Sequence, residues 1–543
     1  MPESPTVELD PNRWRALAVC ISALFLTLLD ISTVNVALPS IGRGTGAGTA
    51  ELQWVISGYI LAFGMVPIIG GRLGDDRGRR RMLEIAIAGF VLSSAVVGLA
   101  PSAAVLVGAR LVQGLAGGLI NPQLVGFVQQ LFPLSERGLA FGYVGSAVGI
   151  ATATGPTVGG LIIGLGGDHW GWRLTFLINV PIGLTALVLV RRWLPDAPRA
   201  AHPRPLDLPG AALLAAGLFC VLFPIVQYDS HHNARLALAF IPAFVLLTLF
   251  LAWERGPGRR RGYPLIDVGL FRVPSYADGL SLALLFFVSY AGIALVLSLF
   301  LQDGLGFSPP QAGLTAGAYA IGSAVSAPFA GRLVPKLGRA LLIGALLVFT
   351  AGVVAMAILA RFAGSPGDRF ALALAPALLV AGIGGGSVIT PNQALSLAEV
   401  DTRGGSTAGG MLQTSQRIGA ALGAALTSAV FYAAARGAPA SGPARSEHYA
   451  HAYATALLVT VGFALAALAI AVRDVRRARL RVARLPVRSA TSVTDVAIGS
   501  RGTQSDLRIR RVGQKIGPPV GDRPDVTASG PAASSRRRRL CMA

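Results

Sequence analysis

Lysine occurs only at Lys336 and Lys515, and cysteine only at Cys20, Cys220 and Cys541. Cys20 and Cys220 lie inside apolar runs with no pairable spacing, which argues against a disulfide framework and a zinc cluster. His231 and His232 stand side by side without a third ligand at metal spacing. Charged residues make up 13% of the chain against 53% hydrophobic, with a mean hydropathy of +0.61, too apolar for a water-soluble globule to bury in one core. The glycine run Gly382-Ile383-Gly384-Gly385-Gly386 sits within an apolar stretch and lacks a following Lys-Ser/Thr, so neither a nucleotide site nor an ATP-driven pump is expected. No nucleophile–base pair or cofactor loop appears. The chain is expected to be no enzyme, with no cofactor beyond a proton gradient as energy source.

What is abundant is apolar sequence of bilayer length. About 20 residues at ~1.5 Å each cross ~30 Å of hydrocarbon. Fourteen such stretches can be marked, at 14–37, 52–71, 82–100, 103–125, 139–164, 173–193, 208–228, 235–253, 277–301, 311–331, 340–360, 370–391, 405–432 and 452–472. The first begins near Trp14, carries Asp30 and reads as a retained span rather than a cleaved leader. An even number puts both termini on one side. Arginines collect in alternate connections, at Arg77–Arg81, Arg137, Arg191–Arg204, Arg255–Arg261, Arg339 and Arg403. By the positive-inside rule those connections and both termini are expected in the cytoplasm, in a plasma-membrane protein. Orientation thus accounts for most of the net charge of +21, and no nucleic-acid partner is expected.

Two repeats divide the chain. Gly71-Arg72-Leu73 through Gly78-Arg79 returns as Gly331-Arg332-Leu333 through Gly338-Arg339, 331 − 71 = 260 residues later. Glu136-Arg137-Gly138 returns as Thr402-Arg403-Gly404, 404 − 138 = 266 residues later. Spans 1–6 and 9–14 are therefore candidate equivalents. The expected fold is an all-α membrane protein of two six-helix bundles plus two extra central transmembrane helices. Its parts are a cytoplasmic N-terminus (1–13), an N-terminal bundle (14–193), an inserted pair (208–253), a cytoplasmic linker (254–276), a C-terminal bundle (277–472) and a disordered basic tail (473–543).

Chemistry concentrates in a few places. Asp30, Ser32, Thr33 and Asn35 put a carboxylate, a hydroxyl pair and an amide near the end of the first span. Burying the carboxylate costs at least ~2.5 kcal/mol, so it should face a watery cavity or a partner. Its expected role is proton coupling or substrate contact, the alternative being a structural carboxylate near the outer interface. In the fourth span Arg110, Gln113, Gly114, Gly117 and Gly118 share one helical stripe. Arg110 and Asp30 come to similar depths, so Arg110 is expected to tune Asp30 or to pair with it for packing alone. Gly145, Gly149, Gly155, Pro156, Gly159 and Gly160 are expected to let the fifth span bend or slide at the seam between the halves, or only to pack helices tightly. In the first hairpin, which Gly71 opens and which is expected to take part in gating, Gly78 permits the tight turn. Asp75, with Arg79 and Arg80, is expected to meet a helix N-terminus or a neighbouring arginine as a gating latch. Arg417, ~18 Å into its span, needs a partner or water and is expected to contact substrate or to pair structurally.

Taken together, these residues resemble the major facilitator superfamily, and within it the fourteen-span drug:proton antiporters. The resemblance runs from about residue 14 to 473. Gly71–Arg81 is similar to the family's loop between spans 2 and 3, Leu29–Pro39 to a first-span signature, and Arg110-x-x-Gln113-Gly114 to a proton-linked one. Gly155-Pro156-x-x-Gly159-Gly160 is similar to an antiporter signature, and Trp172-Arg173 with Phe176–Gly183 to another element of the branch. The resemblance implies export of a lipophilic small molecule in exchange for protons by alternating access, in contact with membrane lipids and as a monomer. Departures are Ser32 for threonine, Asp76 for a basic residue, and Val334-Pro335 in place of an acid in the second hairpin. A uniporter or symporter on the same fold, or a non-transporting sensor acting through the tail, are the alternatives.

Overall fold

The computed structural model describes residues 10–196, 205–231, 238–256, 264–362, 369–439 and 441–483, all within one compact unit, Met1–Arg484. Residues 484–543, most of the expected tail, are among those outside the described residues. Hydrocarbon offers no partner for backbone N–H and C=O, so long apolar runs close their hydrogen bonds internally as helices. The N-terminal bundle comprises α1 (Arg13–Thr45), α2 (Thr49–Met65), α3 (Pro67–Arg77), α4 (Arg79–Gly98), α5 (Ala103–Leu131), α6 (Leu134–Leu177) and α7 (Asn179–Trp193). Next come α8 (Leu208–His231) and α9 (Phe240–Arg255). The C-terminal bundle comprises α10 (Pro274–Leu299), α11 (Pro309–Leu337), α12 (Ala340–Phe362), α13 (Phe370–Ser396), α14 (Gly405–Ala434) and α15 (Pro443–Ala483).

Ten helical stretches among the described residues are long and apolar enough to cross a membrane. The pair α2 and α3, bent by 46°, makes an eleventh. The helices α8, α9 and α11, too short or too rich in small and polar residues to count on composition, occupy the places of expected spans 7, 8 and 10. Expected span 2 is thus a broken helix. Pro67 has no N–H to continue the α2 ladder, and a new ladder starts as Gly70 N donates to Val66 O. Expected spans 5 and 6 run together through α6, where Gly167 at φ 66° turns the chain.

One boundary differs from the sequence reading. The tail was expected to begin at Arg473, where the apolar pattern stops, but α15 continues to Ala483. Arg473 Nη2 and Arg477 Nη1 donate to Asp278 of α10 at 2.5 and 3.2 Å, and these ion pairs hold a helical stretch that hydropathy alone does not mark.

The duplication is visible in three dimensions. Gly78 (φ 101°) turns α3 into α4, and its counterpart 260 residues on, Gly338 (φ 52°), turns α11 into α12. The two bundles meet along two seams that are the same contact with partners exchanged. Gly71 lies against Ser406 and Thr407 at the start of α14, while Gly331 lies against Gly138 and Leu139 at the start of α6. A Cβ on either glycine would overlap backbone of the opposite helix, so only glycine allows this approach.

Both seams lie on the side of the charged hairpins. One buried cluster there joins the halves, running from Leu17, Ile68, Leu83 and Val128 to Tyr276, Leu397 and Met411. At the opposite end each half has its own cluster, Val34, Ile41, Val55, Trp172 and Phe176 in one and Val296, Phe300, Leu374 and Tyr453 in the other. The halves therefore share one apolar core at the hairpin face and keep separate cores at the other.

Candidate coupling site and interbundle seal

Asp30 is 1% exposed and both its oxygens are taken. Arg110 Nη1 donates to Oδ2 at 2.5 Å. Gln113 Nε2 and Asn179 Nδ2 donate to Oδ1 at 3.2 and 3.0 Å. Arg110 also donates from Nη1 to Gln113 Oε1 at 2.8 Å and from Nε to Val55 O at 3.1 Å. Asn179 donates to Ser94 Oγ at 3.1 Å. Helices α1, α2, α4, α5 and α7 thus converge on one carboxylate. The ring of Tyr59 lies 4.1 Å from the guanidinium carbon of Arg110 and that of Phe176 5.6 Å away, which closes the pair off from water. Of the two surroundings expected for Asp30, the partner is the one present. Removing one member of such a buried pair costs about 3–5 kcal/mol, because the other charge is stranded.

The glycines on the Arg110 stripe explain how α2 comes so close. Gly114 lies under Tyr59 O and Ala62, and Gly117 and Gly118 under Phe63. Asn35, five residues on from Asp30, lies on an exposed face of α1 and joins none of these contacts, since that spacing is about 500° of rotation along a helix. The amide in the network is Asn179, which the sequence reading quoted in Phe176–Gly183 without giving it a role. Ser94 carried no signal at all, being one serine in an apolar run.

The fifth-span glycines divide between two neighbours. Gly155 and Gly159 pack on Ser32 and Thr33 of α1, within one bundle, while Pro156 is exposed and Gly160 faces open space. The seam between the halves uses Gly138, Gly142, Gly145 and Gly149 of α6 against Gly331, Pro328, Ala327 and Ala324 of α11. Ser146 Oγ adds a hydrogen bond to Ala324 O at 2.5 Å. The run Gly382–Gly386 has a packing role too, lying against Tyr319 and Phe349.

At the hairpin, Asp75 does meet both a helix N-terminus and an arginine. It accepts from Ser406 N (3.1 Å), Thr407 N (2.8 Å) and Thr407 Oγ1 (2.8 Å) in the first turn of α14, and from Arg79 Nη2 (2.8 Å). Arg79 donates onward to Ser406 Oγ and Gly126 O, both at 2.9 Å, and to Thr402 O. A carboxylate there satisfies orphan N–H groups and the positive end of the helix dipole. Arg80, expected to share the latch, stays within its own bundle, donating to Glu84, Leu194 O and Arg191 O. Asp76 pairs with Arg72 at 3.0 Å and leaves Asp75 undisturbed. In the second hairpin the counterpart of Asp75 is Pro335, which has no carboxylate to cap a helix, and Val334 beside it packs on Gly138. Arg339, the counterpart of Arg79, finds Glu399 at 3.1 Å and Asp474 instead.

Arg417 lies on α14 two turns past Gly410, which rests on Pro67 of α3. Its guanidinium carbon is 4.7 Å from the centroid of Phe63. Among the described residues no group of three or more His, Cys, Asp or Glu side chains is arranged to hold a metal.

Two helical bundles related by a repeat, joined at the hairpin face and with a buried ion pair in one half, have the architecture of a membrane transporter. The profile of the Major Facilitator Superfamily matches residues 20–271 and 279–509, and the chain belongs to that family; it is a transporter, not an enzyme. The probable actinorhodin transporter of Streptomyces coelicolor is 37% identical over 412 residues, covering 75% of this chain and 70% of that one. The puromycin resistance protein of Streptomyces alboniger is 33% identical, over 76% and 80%. Among solved structures, a human organic anion transporter superposes with a TM-score of 0.59 at 18% identity, over 85% of this chain and 100% of that one, a likeness of fold alone.

Proposed function

We propose that this protein exports lipophilic small molecules from the cytoplasm in exchange for protons, working by alternating access through fourteen spans. Relatives named for antibiotic transport and resistance support export. The buried Asp30–Arg110 pair supports proton coupling. A carboxylate bound by a guanidinium is ionised, and a proton that neutralises it releases Arg110. With the basic hairpins in the cytoplasm, the sealed face is cytoplasmic and the side where the halves keep separate cores is the outward one. In this state Asp75 and the glycine seams hold the cytoplasmic side shut. Proton uptake at Asp30 frees Arg110 from its carboxylate while its ring contact with Tyr59 links the change to α2. That helix continues through Pro67 into α3, which carries the latch. Reversal exposes the site to the cytoplasm, where the proton leaves and cargo binds.

The observation that carries this reading is the complete satisfaction of Asp30 by Arg110, Gln113 and Asn179. Reconstituted vesicles loaded with a fluorescent lipophilic cargo test it. A pH gradient is expected to drive cargo against the proton flow, and Asp30→Asn to abolish that response. Transport indifferent to the gradient, or protons moving with the cargo, would overturn antiport.

A further inference from the structure

Between the halves, Arg417 of α14 stands beside Phe63 of α2 and is a cation that the coupling scheme does not use. Arg79, Arg110 and Arg137 each deliver their N–H groups to oxygens of the protein. Among the described residues Arg417 has no carboxylate or carbonyl acceptor. Its surroundings are aromatic instead, with the Phe63 ring at 4.7 Å and the hydroxyls of Tyr59 and Tyr290 within electrostatic reach. Tyr59 is fully buried, yet its hydroxyl has no hydrogen-bond partner. The buried hydroxyl of Tyr319, whose ring packs edge-on against Tyr290 at 5.7 Å, has none either. A guanidinium at membrane depth requires an anion or water, and its planar fork matches a carboxylate. Aromatic faces beside it suit a flat apolar body.

We infer that Arg417, with Tyr59, Phe63, Tyr290 and Tyr319, forms a subsite for the acidic group of an aromatic, amphipathic anion. This rests on the export reading above and narrows its substrate class to aromatic carboxylates and acidic phenols. Cationic amphiphiles are excluded by the same charge. Because Phe63 stacks on Tyr59, which in turn covers Arg110, cargo at Arg417 and a proton at Asp30 act on one ring pair.

The test uses the full chain in proteoliposomes and three probes with one aromatic body: pyrene-1-carboxylate, its methyl ester and pyrenylmethylammonium. The carboxylate is expected to bind at least about tenfold more tightly than the ammonium, as one charge-assisted hydrogen-bond pair supplies. Arg417→Gln is expected to erase that preference while still binding the ester, which also reports that the variant is folded. Arg417→Lys, retaining charge without the fork, is expected to restore part of it. Wild type that prefers the ammonium or ranks the three alike overturns the inference, as does a preference that survives in Arg417→Gln. Should that variant fail to insert, the wild-type ranking decides alone. Export of the probes that ignores a pH gradient sinks the antiport reading and leaves the charge ranking to be judged separately.

Discussion

Neutralising Asp75 is expected to unlock the hairpin face. In Asp75→Asn one amide oxygen still accepts from α14, but the charge is gone and the amide nitrogen faces N–H donors. Hydrogen bonds to a charged group are worth about 1.5–3 kcal/mol each, and a carboxylate at a helix N-terminus adds up to ~2 kcal/mol. Asp75 makes three such bonds across the seam, and water takes their place when the bundles part. A net loss of about 2 kcal/mol is expected, which shifts the sealed-to-open ratio by roughly 30-fold at about 1.4 kcal/mol per factor of ten. Val125, fully buried against Gly409 at the seam, gives the readout. Val125→Cys, in a background with Cys20, Cys220 and Cys541 replaced, reacts with a hydrophilic maleimide only when the seam opens. Labelling is expected to quicken by roughly the population shift in Asp75→Asn and to stay at the parental rate in Arg80→Gln, because Arg80 holds nothing across the seam. Parental labelling in Asp75→Asn would refute the latch.

Gly331→Ala places a Cβ into the carbonyl of Gly138. It should raise Val125→Cys labelling and cut transport at least about tenfold, since backbone on both sides cannot yield. Asn179→Ala removes one of two donors to Asp30 Oδ1. It is expected to lower gradient-driven export about tenfold while Asn35→Ala leaves it unchanged, as a drug-susceptibility panel would record. Glu254, in the last turn of α9 and just past the expected span, is buried and accepts from Leu265 N and Ile266 N. Burial pushes its carboxyl up to about 7 from an ordinary 4.5. A raised value means that folding favours the protonated form, so its contribution to stability is complete below pH 4.5 and is lost as pH rises through 7. The unfolding temperature in detergent should therefore fall between pH 5 and 8 by more in wild type than in Glu254→Gln. Equal slopes would refute the assignment.

What the amino-acid sequence disclosed and what it hid follow from the range of the interactions. Positions on one helix share a face by period alone, so Arg110, Gln113, Gly114 and Gly117 could be grouped, and a charge in an apolar span announces its need for a partner. Similar depth then brought Asp30 and Arg110 together. Which partner a small side chain meets is set by neighbours distant in sequence. That is why the sequence leaves Asn179 and Ser94 without a role, gives no sign that Asn35 turns away from Asp30, and does not separate Gly155 and Gly159, which pack on α1, from Gly145 and Gly149, which reach the seam. Glycine spacing signals close approach without saying to what. Arg80 shows the same limit, since adjacency to Arg79 in a tight turn sends the two side chains to different bundles. The extension of α15 depends on Asp278, a single acid nearly two hundred residues earlier.

The bend at Val66–Pro67 has a mechanical meaning. Its outer arm, α2, is bedded on α5, whereas its inner arm, α3, is pressed against α14 of the opposite half. A single straight rod gripped by two bodies would resist their relative rotation with its whole ladder of backbone bonds. A joint already interrupted by proline lets each arm follow its own neighbour, so under the proposed alternating access the helix would work as a crank at an articulation that the chemistry of one imino acid supplies in advance.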